Sequence, residues 1–247
     1  NDVYPITQTL GAWTAAEQGA IFFENVVNEN TTSDRQLIIH EVMGRHCGWL
    51  TAATALEYRS RLKSKLFLPS FLIDQDRWDI DAIYIPEMEI DFNSEIPRLM
   101  KRMDEKDCVN IFLCEGAGVD NIVFELESQG KEILRDAFGH VRLDEINPGK
   151  WFAKQFSKKI ISDKVLIQKS GYFSRSSKPN VKDLELIFQS ADMAVDCALE
   201  EVSGVIGLDE KKNNQLQCID FERIRGGKLF NSDIDWFQSM LKDIKQI

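Results

Sequence analysis

The stretch Leu37 to Tyr58, LIIHEVMGRHCGWLTAATALEY, changes its hydrophobic period within a few residues, and that change limits what the chain can fold into. Leu37, Ile38 and Ile39 form the short apolar run of a strand buried on both faces, whereas Cys47 to Tyr58 is rich in small residues and free of breakers, as a helix would be. A strand that feeds straight into a helix is the building unit of an open α/β sheet. Met43, Gly44 and Arg45 fall at the junction, the carboxyl end of the strand, where such sheets bind ligands. Gly44 lets backbone come close, and the Arg45 guanidinium offers a fork of donors that matches a phosphate. The local pattern alone is equally that of a turn with a solvated arginine.

The same arrangement recurs along the chain. Val109 to Leu113 is a second buried strand, delivering Cys114, Glu115, Gly116 and Ala117 to a turn, and Lys164 to Gln168 is a further strand, leading into Lys169 and the loop SGYFSR with Tyr172 and Arg175. Glu115 either caps the next helix or offers two acceptor oxygens to a sugar diol. Lys169 is either a solvated strand-end lysine or a phosphate cation. Ala82 to Pro86 reads as a strand closed by Pro86-Glu87, with Glu87 structural, and Leu216 to Phe221 as another. Helices are expected over Gln8 to Glu29, capped by Thr7 or Thr9; after Asn93; over Phe124 to Gly139; after Asn147-Pro148; over Lys182 to Val202, with Phe188, Val195 and Leu199 on a broad apolar face; and over Ser232 to Ile244.

With 247 residues there is room for one large domain or two small lobes with a real core. The net charge of −10 argues against a nucleic-acid partner or an anionic membrane surface, yet leaves room for a local basic pocket. No apolar run has the length of a membrane span. The five cysteines show no pairing or metal-ligand spacing and read as buried thiols of a reducing compartment, which points to the cytoplasm.

The segment HEVMGRHCGWLTAATAL resembles the fructose 6-phosphate-binding segment of the 6-phosphofructokinase family, and with QTLGAWTAAEQ and SGYFSR its wording is closest to the pyrophosphate-dependent branch. The resemblance runs from Asn1 to about Gly204. It implies a phosphofructokinase-like α/β fold of two three-layer lobes with mainly parallel sheets: residues 1–85 as the remainder of the first lobe, 86–204 as the substrate-binding lobe and 205–247 as a strand and helix packing back.

The same resemblance implies a phosphotransferase that moves a phosphoryl group from pyrophosphate, or alternatively ATP, to the 1-hydroxyl of fructose 6-phosphate in a homo-oligomer, dimer or tetramer. Asn1-Asp2 match the last two letters of the family motif TIDND, whose first aspartate, the general base, would lie one residue before Asn1. Asp2 and Arg45 are then catalytic, and Met43, Gly44, Arg45, Glu115, Tyr172, Arg175 and Lys169 bind substrate. Arg35 corresponds to an arginine that in relatives reaches a neighbouring subunit's sugar phosphate, or it is a solvated loop residue. Mg2+ is implied by the phosphate chemistry, with its usual carboxylate anchor in a glycine-aspartate loop that these residues lack. A non-catalytic regulatory subunit of the same family is a further reading, and composition by itself is also that of an ordinary α/β interaction domain.

Overall fold

The computed structural model describes residues 3–71, 73–137 and 139–247. Its strands are β1 (Val3–Tyr4), β2 (Gln36–Val42), β3 (Ala82–Tyr84), β4 (Cys108–Cys114), β5 (Lys164–Lys169), β6 (Val205–Asp209), β7 (Gln215–Ile219) and β8 (Arg225–Gly226). The helices are α1 (Ala12–Val26), α2 (Trp49–Lys63), α3 (Phe92–Lys106), α4 (Val119–Ser128), α5 (Leu143–Ile146), α6 (Pro148–Phe156), α7 (Gly171–Arg175), α8 (Val181–Leu199) and α9 (Asp235–Asp243).

A four-stranded sheet of order β3-β4-β2-β5, parallel throughout, carries the fold. Every residue of β2 and β4 is buried, which is why both strands read as near-continuous apolar runs. On one face Phe23 of α1 and Tyr58 of α2 pack against Phe112 of β4. On the other, Tyr84 of β3 stacks with Phe152 and Phe156 of α6, joined by Phe92 of α3. The β3 edge is closed by a side chain, since the Gln246 amide accepts from the Ile83 N–H at 2.8 Å and donates to its carbonyl at 3.0 Å. Burying about a dozen large side chains in these two layers stabilises the sheet by roughly 2 kcal/mol each before entropy is counted.

The α/β class and the strands expected near residues 37, 82, 109 and 164 are present; several finer expectations are corrected. A division after residue 85 cuts through one sheet, because β2 and β3 on one side of it are hydrogen-bonded neighbours of β4, and β2 of β5. Parallel strands need crossovers, so strands adjacent in space are distant in sequence. Helix α1 starts only at Ala12, after Gly11, and neither Thr7 nor Thr9 caps it. The cap comes from the start of α8, where the buried Asp183 carboxylate accepts from the N–H groups of Gly11 at 2.9 Å and Thr14 at 2.7 Å. Asp91 rather than Asn93 caps α3. The helix expected to run to Gly139 ends at Ser128, beyond which Gly130 takes a φ of 73°. On α8, Phe188, Val195 and Leu199 are exposed, because within this chain the helix packs mainly through its first turns, at Asp183 and Leu186.

At the centre of the core lies His40 on β2, fully buried, with its ring stacked on Phe23 and edge-on to Phe112. Neither ring nitrogen has a hydrogen-bond partner among the described residues, and burial pushes the imidazole pKa down to about 3. A depressed histidine is neutral in the folded protein, whereas the unfolded chain takes up a proton below about 6.5. The stability that this neutral burial permits is thus complete above pH 6.5 and is lost as the pH falls towards 3. Chemical denaturation between pH 7 and pH 4.5 should show wild type losing about 1.4 kcal/mol per pH unit more than His40→Phe below pH 6.5. Parallel curves for the two proteins would contradict a neutral buried ring.

Candidate active site at the carboxyl ends of the parallel strands

The turns that follow β2 and β4 are pressed together. Gly44 has a φ of 148°, and a β-carbon there would come within 2.5 Å of the Cys47 carbonyl oxygen. At Gly116 a β-carbon would lie 1.9 Å from the Arg45 carbonyl oxygen, so both positions require glycine. Three contacts lock the junction: Glu115 N–H donates to Val42 O at 2.9 Å, Gly44 N–H donates to Glu115 Oε1 at 3.1 Å, and Cys114 Sγ donates to Gly44 O at 2.7 Å. Burial pushes the Cys114 thiol up to about 12, which keeps it a neutral donor. Glu87 is structural, as expected: its carboxylate accepts from the N–H of Gly48, the residue that opens α2, at 2.9 Å and from that of Phe230 at 2.9 Å.

Beside this junction, the ends of β2 and β5 and the helix α7 enclose a hollow of about 270 Å³ lined by Glu41, Met43, Glu115, Lys169, Tyr172 and Arg175, among others. Arg175 Nε donates to the Met43 sulfur at 2.8 Å, and among the described residues its guanidinium forms no ion pair with a carboxylate. Lys169 Nζ is held 2.7 Å from Oε1 of Glu41, a carboxylate only 5% exposed whose other oxygen accepts from Gly149 N–H at 3.0 Å. Tyr172 stands 93% exposed at the rim. A second hollow of about 350 Å³ meets the first along Met43 and Arg175 and is lined by Thr9 and Gly44. Together they form a crease lined by two cations, Lys169 and Arg175, three carboxylates, Glu41, Glu115 and Asp144, and the rings of Tyr172 and Trp49, with donors for a phosphate and acceptors for sugar hydroxyls.

Met43, Glu115, Lys169, Tyr172 and Arg175 are therefore brought together, with the Gly44 backbone at the border. Arg45 departs from the expected convergence. Its side chain turns away from this crease into a neighbouring cavity of about 600 Å³ lined by His46, Glu87, Gly116, Arg135 and His140, among others, and pairs with Asp136 at 3.2 Å. The physical reason is the pressed junction, which places Gly44 and Gly116 between the two cavities. Arg35 is not part of either. It lies at the amino end of β2, about 20 Å of strand away, where it pairs with Asp104 at 2.7 Å and donates to the Ile160 and Ile161 carbonyls. Asp2 lies outside the described residues.

Sequence reasoning missed Glu41 and Asp136. Glu41 had a signal, a carboxylate in an otherwise apolar buried strand, whereas Asp136 sits in a loop without periodicity. Among the described residues no group of three or more His, Cys, Asp or Glu side chains is arranged to hold a metal ion. No helix among them is long and apolar enough to cross a membrane.

The family profile described as Phosphofructokinase matches residues 1–198. A pyrophosphate–fructose 6-phosphate 1-phosphotransferase from Methylomonas methanica is 56% identical over 246 residues, and proteins of that name from Mastigamoeba balamuthi and Propionibacterium freudenreichii subsp. shermanii are each 52% identical over the same length. The whole chain is covered in each case, and it spans about 60% of the length of these relatives. The crystal structure of a pyrophosphate-dependent phosphofructokinase from Nitrosospira multiformis superposes with a TM-score of 0.62 at 16% identity, covering 99% of this chain and 57% of that one. A second such structure, from Marinobacter aquaeolei, gives 0.60 at 17% identity. Profile, sequence relatives and fold agree, and the chain belongs to the phosphofructokinase family.

Proposed function

We propose that this chain is the sugar-phosphate-binding portion of a pyrophosphate-dependent 6-phosphofructokinase, which phosphorylates the 1-hydroxyl of fructose 6-phosphate. The observation that carries the reading is the crease between β2, β4 and β5, where Lys169 and Arg175 face Glu115 across about 270 Å³. The names borne by relatives 52% to 56% identical to this chain support pyrophosphate as donor over ATP. The protein acts in the cytoplasm as a homo-oligomer.

The chemistry assigned to the residues is positioning and charge stabilisation, which dominate phosphoryl transfer. Arg175 and Lys169 hold the 6-phosphate, Glu115 accepts from ring hydroxyls, and Tyr172 covers the sugar. Arg45 stabilises charge on the transferring phosphoryl group once it turns from Asp136 towards the crease. Asp2 lies beside the reacting groups. Mg2+, brought in with the phosphates, supplies charge neutralisation.

Steady-state assays of the full-length protein with each donor test the reading. Turnover with pyrophosphate well above that with ATP is expected; activity with ATP alone would reassign the donor, and turnover with neither would favour the regulatory-subunit reading. Arg175→Ala should raise the KM for fructose 6-phosphate by roughly 10- to 100-fold with a smaller effect on kcat, the pattern of lost substrate binding. Arg45→Ala should depress kcat by about 100-fold, as removal of a charge-stabilising donor does elsewhere. A kcat within a few-fold of wild type would remove Arg45 from the catalytic group.

A further inference from the structure

The loop between α4 and α5 lies between the motifs that carry the family resemblance, and it sets one carboxylate against Arg45. Asp136 is fixed within its own loop: its N–H donates to His140 O at 2.8 Å, its Oδ1 accepts from His140 N–H at 3.0 Å, and His140 Nδ1 lies 3.3 Å from its Oδ2. The His140 ring packs 5.4 Å from that of His46, next to Arg45, which ties the loop to the turn after β2. The carboxylate is therefore already in position without help from the arginine.

The Arg45 side of the pair is held differently. Its contact with Asp136 is a single Nη1 to Oδ2 approach of 3.2 Å between side chains that are 37% and 33% exposed, the kind of pair that contributes little and breaks readily. A phosphate offers the same fork two oxygens at once and more charge than a carboxylate does. Arg45 is thus engaged by a weak, preset anion on the side of the junction away from Lys169 and Arg175.

We propose that Asp136 is the resting counter-ion of Arg45, which the phosphoryl donor displaces, so that this loop residue sets how tightly the donor binds. The assignment rests on the pyrophosphate-dependent reading. The cost of parting the pair is subtracted from donor affinity, and the sugar phosphate, held by Lys169 and Arg175, does not bear it.

Asp136→Asn keeps an oxygen for the His140 N–H and removes the charge. In the full-length protein this variant should lower both the KM for pyrophosphate and the Kd for the pyrophosphate ion measured by calorimetry by roughly two- to fivefold. The KM for fructose 6-phosphate should stay at the wild-type value. In an Arg45→Ala background the same substitution should leave the pyrophosphate Kd unchanged. A pyrophosphate affinity that is unchanged or weaker in Asp136→Asn, or an equal gain with and without Arg45, overturns the proposal. So does a wild type and variant that both fail to bind pyrophosphate. Because calorimetry needs no turnover, an inactive wild type would count against the functional reading alone, while the binding series still decides the role of Asp136.

Discussion

The contact between the turn after β2 and the turn after β4 governs the site. With Gly116 seated against the Arg45 carbonyl, the two strand ends approach more closely than any side chain larger than hydrogen allows. That approach puts Glu115 within reach of the Gly44 N–H and pins the Gly44 carbonyl under the Cys114 thiol. The carboxylate is then aimed by backbone rather than by its own rotamer. The same closeness divides the region in two, with Arg45 on one side and Lys169 and Arg175 on the other.

Charge placement follows from this geometry. The chain is acidic overall, and the two cations of the crease stand among three carboxylates, Glu41, Glu115 and Asp144. The buried Glu41 is shared between Lys169 and the Gly149 N–H, while Met43 gives Arg175 a sulfur neighbour in place of a carboxylate. On the far side Asp136 meets Arg45. Elsewhere carboxylates are spent on structure. Asp183 serves the start of α1, and Asp81, fully buried, lies between Arg102 at 3.0 Å and Lys106 at 2.9 Å. These buried groups hold their cations through hydrogen bonds and are weak evidence for net stabilisation, since desolvation offsets much of the attraction.

Much of this was legible in the residues, and the limits have physical causes. Buried parallel strands announce themselves as apolar runs, so β2 and β4 could be read directly, and β5, an edge strand with no buried residue, by its shorter apolar run Val165 to Ile167, together with the residues at their carboxyl ends. Which strands neighbour one another could not, because crossover connections hide spatial order, and the division after residue 85 failed for that reason. The capping of α1 by Asp183 was equally hidden, being a contact between elements far apart along the chain. Residue type and strand-end position gave Glu115, Lys169 and Arg175 correctly as neighbours, but the turn of Arg45 away from them depends on the contact between Gly116 and the Arg45 carbonyl, which joins segments far apart along the chain. The exposed Phe188, Val195 and Leu199 show the converse, an apolar stripe that reads as core and lies at the surface of this chain.

The central claim is that Lys169, Arg175 and Glu115 form one receptor for a phosphorylated hexose. The most direct measurement is a crystal structure of the full-length protein soaked with fructose 6-phosphate. The account predicts phosphate oxygens within about 3 Å of Lys169 Nζ and of the Arg175 guanidinium, with sugar hydroxyls donating to Glu115. A sugar phosphate bound elsewhere, with Lys169 and Arg175 still facing Glu41 and Met43, would contradict it.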